Sequence, residues 1–262
     1  MKRTALAFAI TAATLAMPAI THAEDAPAAA PAEPAAPASP WVGSATLASD
    51  YIFRGLTQTN EKPALQAGLE YDDPSGIYAG FWGSNINWLS DYSTAEAPVS
   101  SSLEIDLYVG YRGKFNDDWG YDVGLYTYYY PGDYPPGFTS PNTTEIYGAL
   151  SYKFLSLKYS HTLTNAFGFT DTKNSGYLDL SANYEFVPTW VLNAHVGHQR
   201  IDGFGVASYT DWKLGITKNL DKGFSVAIAY YDTNADEPTY TNPNTGHFIG
   251  RSTGVVTISK AF

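Results

Sequence analysis

The chain has 262 residues, a formal net charge of −11 and no cysteine. The charge argues against nucleic acid and against polybasic lipid binding, and the missing cysteine excludes a disulfide framework, a Cys-ligated zinc site and a thiol nucleophile. Its 21 Tyr, 13 Phe and 6 Trp are spread along the whole length, whereas a soluble enzyme would concentrate apolar residues in a core.

The N-terminus reads as a secretory leader. Lys2 and Arg3 precede an apolar run, Ala5 to Ile20, which Pro18 interrupts, and small residues flank a cleavage point after Ala23. The run falls short of the ~20 apolar residues that a spanning helix needs. Loss of residues 1–23 takes the charge to about −13. Residues 24–40, EDAPAAAPAEPAAPASP, are too poor in hydrophobic residues to pack and lean to extended polyproline geometry. They are expected to be a disordered tether.

From Trp41 onward period 2 dominates. In Leu103–Tyr111, Leu103, Ile105, Leu107 and Val109 alternate with Glu104, Asp106, Tyr108 and Gly110. In Leu178–Phe186, Leu178, Leu180, Ala182 and Tyr184 alternate with Asp179, Ser181, Asn183 and Glu185. This is strand periodicity, and no convincing amphipathic helix follows the leader. About twelve segments, each near the ~9–11 residues of a tilted membrane strand, are expected. They run over 42–54, 63–71, 77–88, 102–113, 119–130, 143–152, 154–164, 175–186, 189–200, 207–218, 223–232 and 249–262.

Short and long connections alternate strictly between these segments. If each strand pairs with the next, the short turns share one end and the long loops the other. An all-β, transmembrane up-and-down antiparallel β-barrel over 41–262 is expected, with periplasmic turns, extracellular loops and both chain ends at the periplasmic side. Aromatics fall near both strand ends: Tyr71, Trp119, Tyr184 and Trp190 near the short turns, and Trp82, Trp88, Tyr92, Tyr128, Tyr129, Tyr130, Phe167, Phe169, Tyr230 and Tyr231 toward the loops. They are expected to form two interfacial belts. The last strand closes on Phe262, with Lys260 expected to snorkel to the interface.

One stretch resists a simple strand reading. In Ser49-Asp-Tyr-Ile-Phe-Arg-Gly-Leu-Thr-Gln-Thr59, an acid and a base stand four residues apart. On a strand they share a face but lie about 13 Å apart at roughly 3.3 Å per residue, too far to pair. In a barrel, Leu47, Tyr51 and Phe53 would face lipid, and Thr46, Asp50 and Arg54 a lumen. Arg54 would then stand at the loop end of its strand and Asp50 further in.

That stretch, Lys62-Pro-Ala-Leu-Gln66, Leu103–Tyr111, Tyr128-Tyr-Tyr-Pro-Gly132, Ser175–Tyr184, His195-Val-Gly-His198 and Ile258–Phe262 together resemble the TorF family of porins, the Gcw_chp outer-membrane proteins. The resemblance covers most of 41–262 and implies an outer-membrane barrel with a channel role. The C-terminal Phe262 strand also resembles the signal that such barrels present to the assembly machinery.

The candidate pore-lining residues are Asp50, Arg54, Glu104, Asp106, Arg112, Asp122, Glu145, Lys158, Asp179, His195, Asp211 and Lys213. They read either as a mildly cation-favouring pore or as a network that plugs and stiffens a narrow barrel. Ser181, His195 and Asp179 make a hydrolase triad by residue type. His161 and His198 fall on the other parity, near strand ends. No phosphate loop, GxSxG or HExxH occurs, so no cofactor or metal is expected. The expected function is a passive channel for small hydrophilic solutes, with outer-membrane lipid around it. The alternatives are a barrel-mouth hydrolase and a closed structural or adhesive barrel.

Overall fold

The computed structural model describes residues 39–262. The leader and nearly all of the tether expected from the sequence lie outside the described residues. Twelve strands close an antiparallel barrel. They are β1 (Trp41–Ala48), β4 (Ala64–Asp72), β5 (Ile77–Asn85), β6 (Leu103–Lys114), β7 (Trp119–Tyr129), β8 (Thr143–Tyr152), β9 (Leu155–Thr162), β10 (Gly176–Val187), β11 (Trp190–Arg200), β12 (Tyr209–Asn219), β13 (Phe224–Thr233) and β14 (Thr253–Ala261). Two further strands, β2 (Ile52–Phe53) and β3 (Leu56–Thr57), form a separate hairpin. Among the described residues no helix is long and apolar enough to cross a membrane.

Each wall strand pairs with the next, and β1 pairs with both β4 and β14. Closure leaves no open edge, so every wall strand has two partners for its backbone groups. The seam is finished by the last residue. Gly43 N–H donates to the Phe262 carbonyl at 2.8 Å, and Phe262 N–H returns to Gly43 at 3.0 Å. The Phe262 ring lies over Gly43 so closely that a Cβ there would come within 2.3 Å of it. Lys260 holds its ammonium over the Phe224 ring at 5.1 Å and donates to the backbone carbonyls of Lys222 and Ala261.

The alternation sets the two faces. Leu107 is 54% exposed and Leu180 47%, whereas their neighbours Asp106 and Asp179 are 2% and 6% exposed. Leu47, Leu65, Ile77, Phe81, Leu125, Ile146, Leu214, Ile228 and Ile258 are exposed in the same way. A closed apolar band of this kind suits hydrocarbon, and no monomer in water would leave it uncovered.

Two expectations are corrected. The wall strand expected over 42–54 ends at Ala48. Residues 49–63 leave the wall and turn into the lumen, so Tyr51 is buried and Phe53 packs on Tyr128 and Phe167 instead of facing outward. The far aromatic belt is also much thinner than expected. Tyr129 and Tyr230 are outward, but Trp82, Tyr128, Tyr130 and Tyr231 are buried inside. Tyr128 shares the parity of Asp122 and Tyr126, and a period of two carries all three to the lumen. The short-turn belt is present: Tyr71, Tyr111, Trp119, Tyr152, Phe154, Tyr184 and Trp190 are all exposed.

Candidate functional site

The strap across the mouth. Ala48 and Ala64 are paired neighbours on β1 and β4, so residues 49–63 depart from and return to almost the same point. Between these ends the chain makes a two-residue hairpin turn with Arg54 and Gly55 at its tip. Both have positive φ, 48° and 76°, the pattern that matches the twist of a two-residue hairpin. Gly55 abuts the opposite wall, where an added Cβ would lie 2.5 Å from Asp211 Cβ. Positive φ and this close approach together require glycine. Gly55→Val is therefore expected to dislodge the tip, at about 1–2 kcal/mol for the backbone alone. Limited trypsinolysis should cut the variant at Arg54 and spare the wild type; equal protection would show that the tip tolerates the side chain.

Asp50 fastens the return leg. It accepts Thr57 Oγ1 at 2.6 Å and Thr59 Oγ1 at 2.8 Å. Thr57 N–H donates to the Ile249 carbonyl at 2.8 Å, and Tyr51 OH donates to Glu104 at 3.0 Å. The strap is thus bonded to β6 and to the loop before β14. Above it, loops fold over the mouth: Asn244 donates to the Tyr92 carbonyl at 3.0 Å, and Asn60 bonds Asp91. Ile52, Ile86, Leu89 and Val99 form one apolar cluster beneath these loops, and Leu56, Ile201, Tyr209 and Tyr240 belong to another.

Arg54 sits at the centre. Its guanidinium donates to both Glu145 oxygens, at 2.8 and 3.1 Å, and to Gln199 Oε1 at 2.9 Å. It lies over the ring of Tyr177 at 4.4 Å, with Phe53 at 4.8 Å and Phe167 at 5.6 Å. Arg54 is 2% exposed and Glu145 1%. A planar fork held by both oxygens of one carboxylate and faced by aromatic rings is the arrangement that arginine, and not lysine, can satisfy.

A second network lies deeper. His195 Nδ1 faces Asp179 Oδ2 at 2.7 Å, and Nε2 faces Asp211 Oδ2 at 3.1 Å. Tyr177 OH donates to Asp211 Oδ1 at 2.9 Å, which joins this network to the ring under Arg54. Ser181 Oγ donates to Asp179. The residues of the triad are together but not in the order that hydrolysis needs. The imidazole nitrogen that would take a serine proton faces Asp211, and the serine bonds the acid instead. Toward the short turns, Arg112 pairs with Glu70 and Asp72 over the Tyr78 ring at 4.0 Å, and Tyr78 OH donates to Asp122 at 2.5 Å. Lys158 lies over Tyr147 and Lys213 over Tyr231.

The lower half is packed less evenly, although Asp122 and Thr217 are buried there. Lys158, Ser181 and Lys213 are half-buried and Asn183 is exposed. At the level of the strap, Glu104, Asp106, Tyr126, Tyr128 and Glu145 are almost fully buried.

All twelve candidate residues are inside the barrel or its strap. The structure brings Arg54 to Glu145, and His195 to Asp179 and Asp211. Arg54 is not at a strand end but at the tip of the strap, and Asp50 anchors that strap. His198 is exposed and bonds Thr210. Sequence reasoning missed Gln199, Tyr128, Tyr177, Thr57 and Thr59. Arg-Gly between two short β-prone runs was the available signal for the hairpin. Among the described residues no cluster of metal-ligating side chains occurs.

A family model described as "Bacterial protein of unknown function (Gcw_chp)" matches residues 32–262. No curated protein matches the chain in sequence. A solved "KdgM porin" superposes with a TM-score of 0.53 at 8% identity, over 84% of this chain and 98% of that one. The "KdgM porin in complex with disordered oligogalacturonate" gives a TM-score of 0.50 at 8% identity, over 85% and 97%. At this identity the likeness is one of fold.

Proposed function

The chain belongs to the Gcw_chp family, and from that premise and its closed barrel we propose that it is an outer-membrane channel for passive diffusion of small hydrophilic solutes or ions. The observation that carries the reading is how the lumen is obstructed. The wall itself encloses a lumen lined by polar side chains, and the mouth is crossed by one segment that leaves and rejoins adjacent strand positions. Removing such a segment leaves the wall pairing intact. In this reading the short turns and both ends of the barrel domain are periplasmic, the Phe262 strand is what the assembly machinery engages, and lipid covers the outward face. Glu104, Asp106, Asp122, Glu145, Asp179 and Asp211, partly balanced by Arg54, Arg112, Lys158, Lys213 and His195, bias the lumen toward cations. A hydrolase is disfavoured because Ser181 is directed to Asp179 and away from His195.

The test is planar-bilayer recording on refolded protein. The wild type is compared with a variant in which residues 50–61 are replaced by a short Gly-Ser turn. The expected result is small or infrequent current steps in the wild type and large, steady ones in the variant. Silence from both, with correct barrel assembly, would exclude the channel.

A further inference from the structure

Arg54 occupies a site whose other parts belong to the wall. Glu145 is on β8, Tyr177 on β10 and Gln199 on β11, and Tyr128 OH on β7 lies 3.4 Å from the guanidinium. All four stand on wall strands whose pairing does not involve the strap. We propose that they form a recognition site for a solute bearing a guanidinium group, and that Arg54 fills it as a built-in stand-in that such a solute displaces. This deepens the channel reading and rests on it for the solute's passage.

Four observations carry the proposal. The acceptors match a planar fork: two parallel bonds to Glu145 and one to Gln199 lie around the edge, with the Tyr177 ring against the face. A spherical ammonium or sodium ion would leave that geometry partly unused. The stand-in is aimed at a conformational cost, since Arg54 holds a φ of 48°, where residues other than glycine are uncommon. The surroundings are carboxyl-rich and aromatic: Asp211 bonds the same Tyr177, and Glu104 and Asp106 project from β6 into the same buried level. Finally, if the strap withdraws, the Glu145 carboxylate faces the lumen without its cation. An unpaired carboxylate there takes up either a proton or a replacement cation, and with Gln199 Oε1 and the Tyr177 ring beside it the wall presents an edge that a guanidinium fits.

The experiment uses Arg54→Ala, refolded in detergent, with methylguanidinium as the probe and methylammonium and sodium as controls. The heat-modifiable gel shift reports the unfolding midpoint. Methylguanidinium should raise the midpoint of Arg54→Ala at a concentration at least tenfold below that at which methylammonium does. It should not do so in Arg54→Ala/Glu145→Gln, and the wild type, its site already filled, should not respond. If Arg54→Ala fails to assemble, the strap-replaced variant serves. Methylguanidinium should then block its current at least tenfold more tightly than methylammonium, or protect it in the gel assay if it does not conduct. An equal response to both amines, or no response in either variant, overturns the proposal. Protection without conductance would instead support the site and count against the channel, so the two readings fail separately.

Discussion

Arg54→Ala is expected to destabilise the folded barrel by about 3–5 kcal/mol, the cost of leaving one member of a buried ion pair alone. Glu145 keeps Tyr128 OH at 3.5 Å, but it loses both guanidinium bonds. The loss also removes the contacts of the cation with Tyr177 and Phe53, each worth about 0.5–2 kcal/mol by the degree of desolvation. Replacing both partners, Arg54→Met with Glu145→Leu, should cost less than either single change, because no charge is then stranded. The midpoint of the heat-dependent gel shift measures all three. A cost below about 1 kcal/mol for Arg54→Ala would mean that water reaches Glu145 as at a surface. The same variant should also conduct more than the wild type, since the strap loses its contact with β8 and β11.

Leu180→Arg tests the outer face. Leu180 lies between Leu157 and Val196 of the neighbouring strands and is 47% exposed on the outside. Arginine there should cost about 2–4 kcal/mol at mid-bilayer. Ser181→Arg, one residue along, points into the lumen at a half-buried position, where it faces Asp179 as well as His195. It should assemble nearly as well as the wild type. Asp179→Arg would be a poorer control than Ser181→Arg. Asp179 is bonded to His195 and Ser181 and is paired across the strands with Lys158, so a cation there meets others. Folding yields into vesicles distinguish the variants. Equal yields for Leu180→Arg and Ser181→Arg would show that the two faces are not lipid and lumen.

The barrel was legible because its rule is local. Leu103–Tyr111 and Leu178–Phe186 alternate without a break, and each residue's face follows from counting by two. The alternation of short and long connections then fixes which strand ends share a side. The parity of Glu104, Asp106, Asp179, His195 and Asp211 follows from the same count, but the register that brings Asp179 to His195 also needs the bulge between Glu185 and Val187.

The strap was not legible, because it obeys no period. Thr46 to Arg54 can be read as one alternating strand, and the departure after Ala48 depends on what the far wall offers. Glu145, Gln199 and Tyr177 lie 91, 145 and 123 positions from Arg54 in sequence, so nothing near Arg54 announces them. The far aromatics are a different case, because the count by two already turns Tyr128, Tyr130 and Tyr231 inward. Composition places all three near the loop ends, but whether a ring at that level faces lipid or lumen depends on its parity. The sequence by itself determined the wall, its faces and its ends, since these depend on spacing along one strand. Only the tertiary structure decided what fills the lumen, since a buried arginine finds its partners across the barrel and not along the chain.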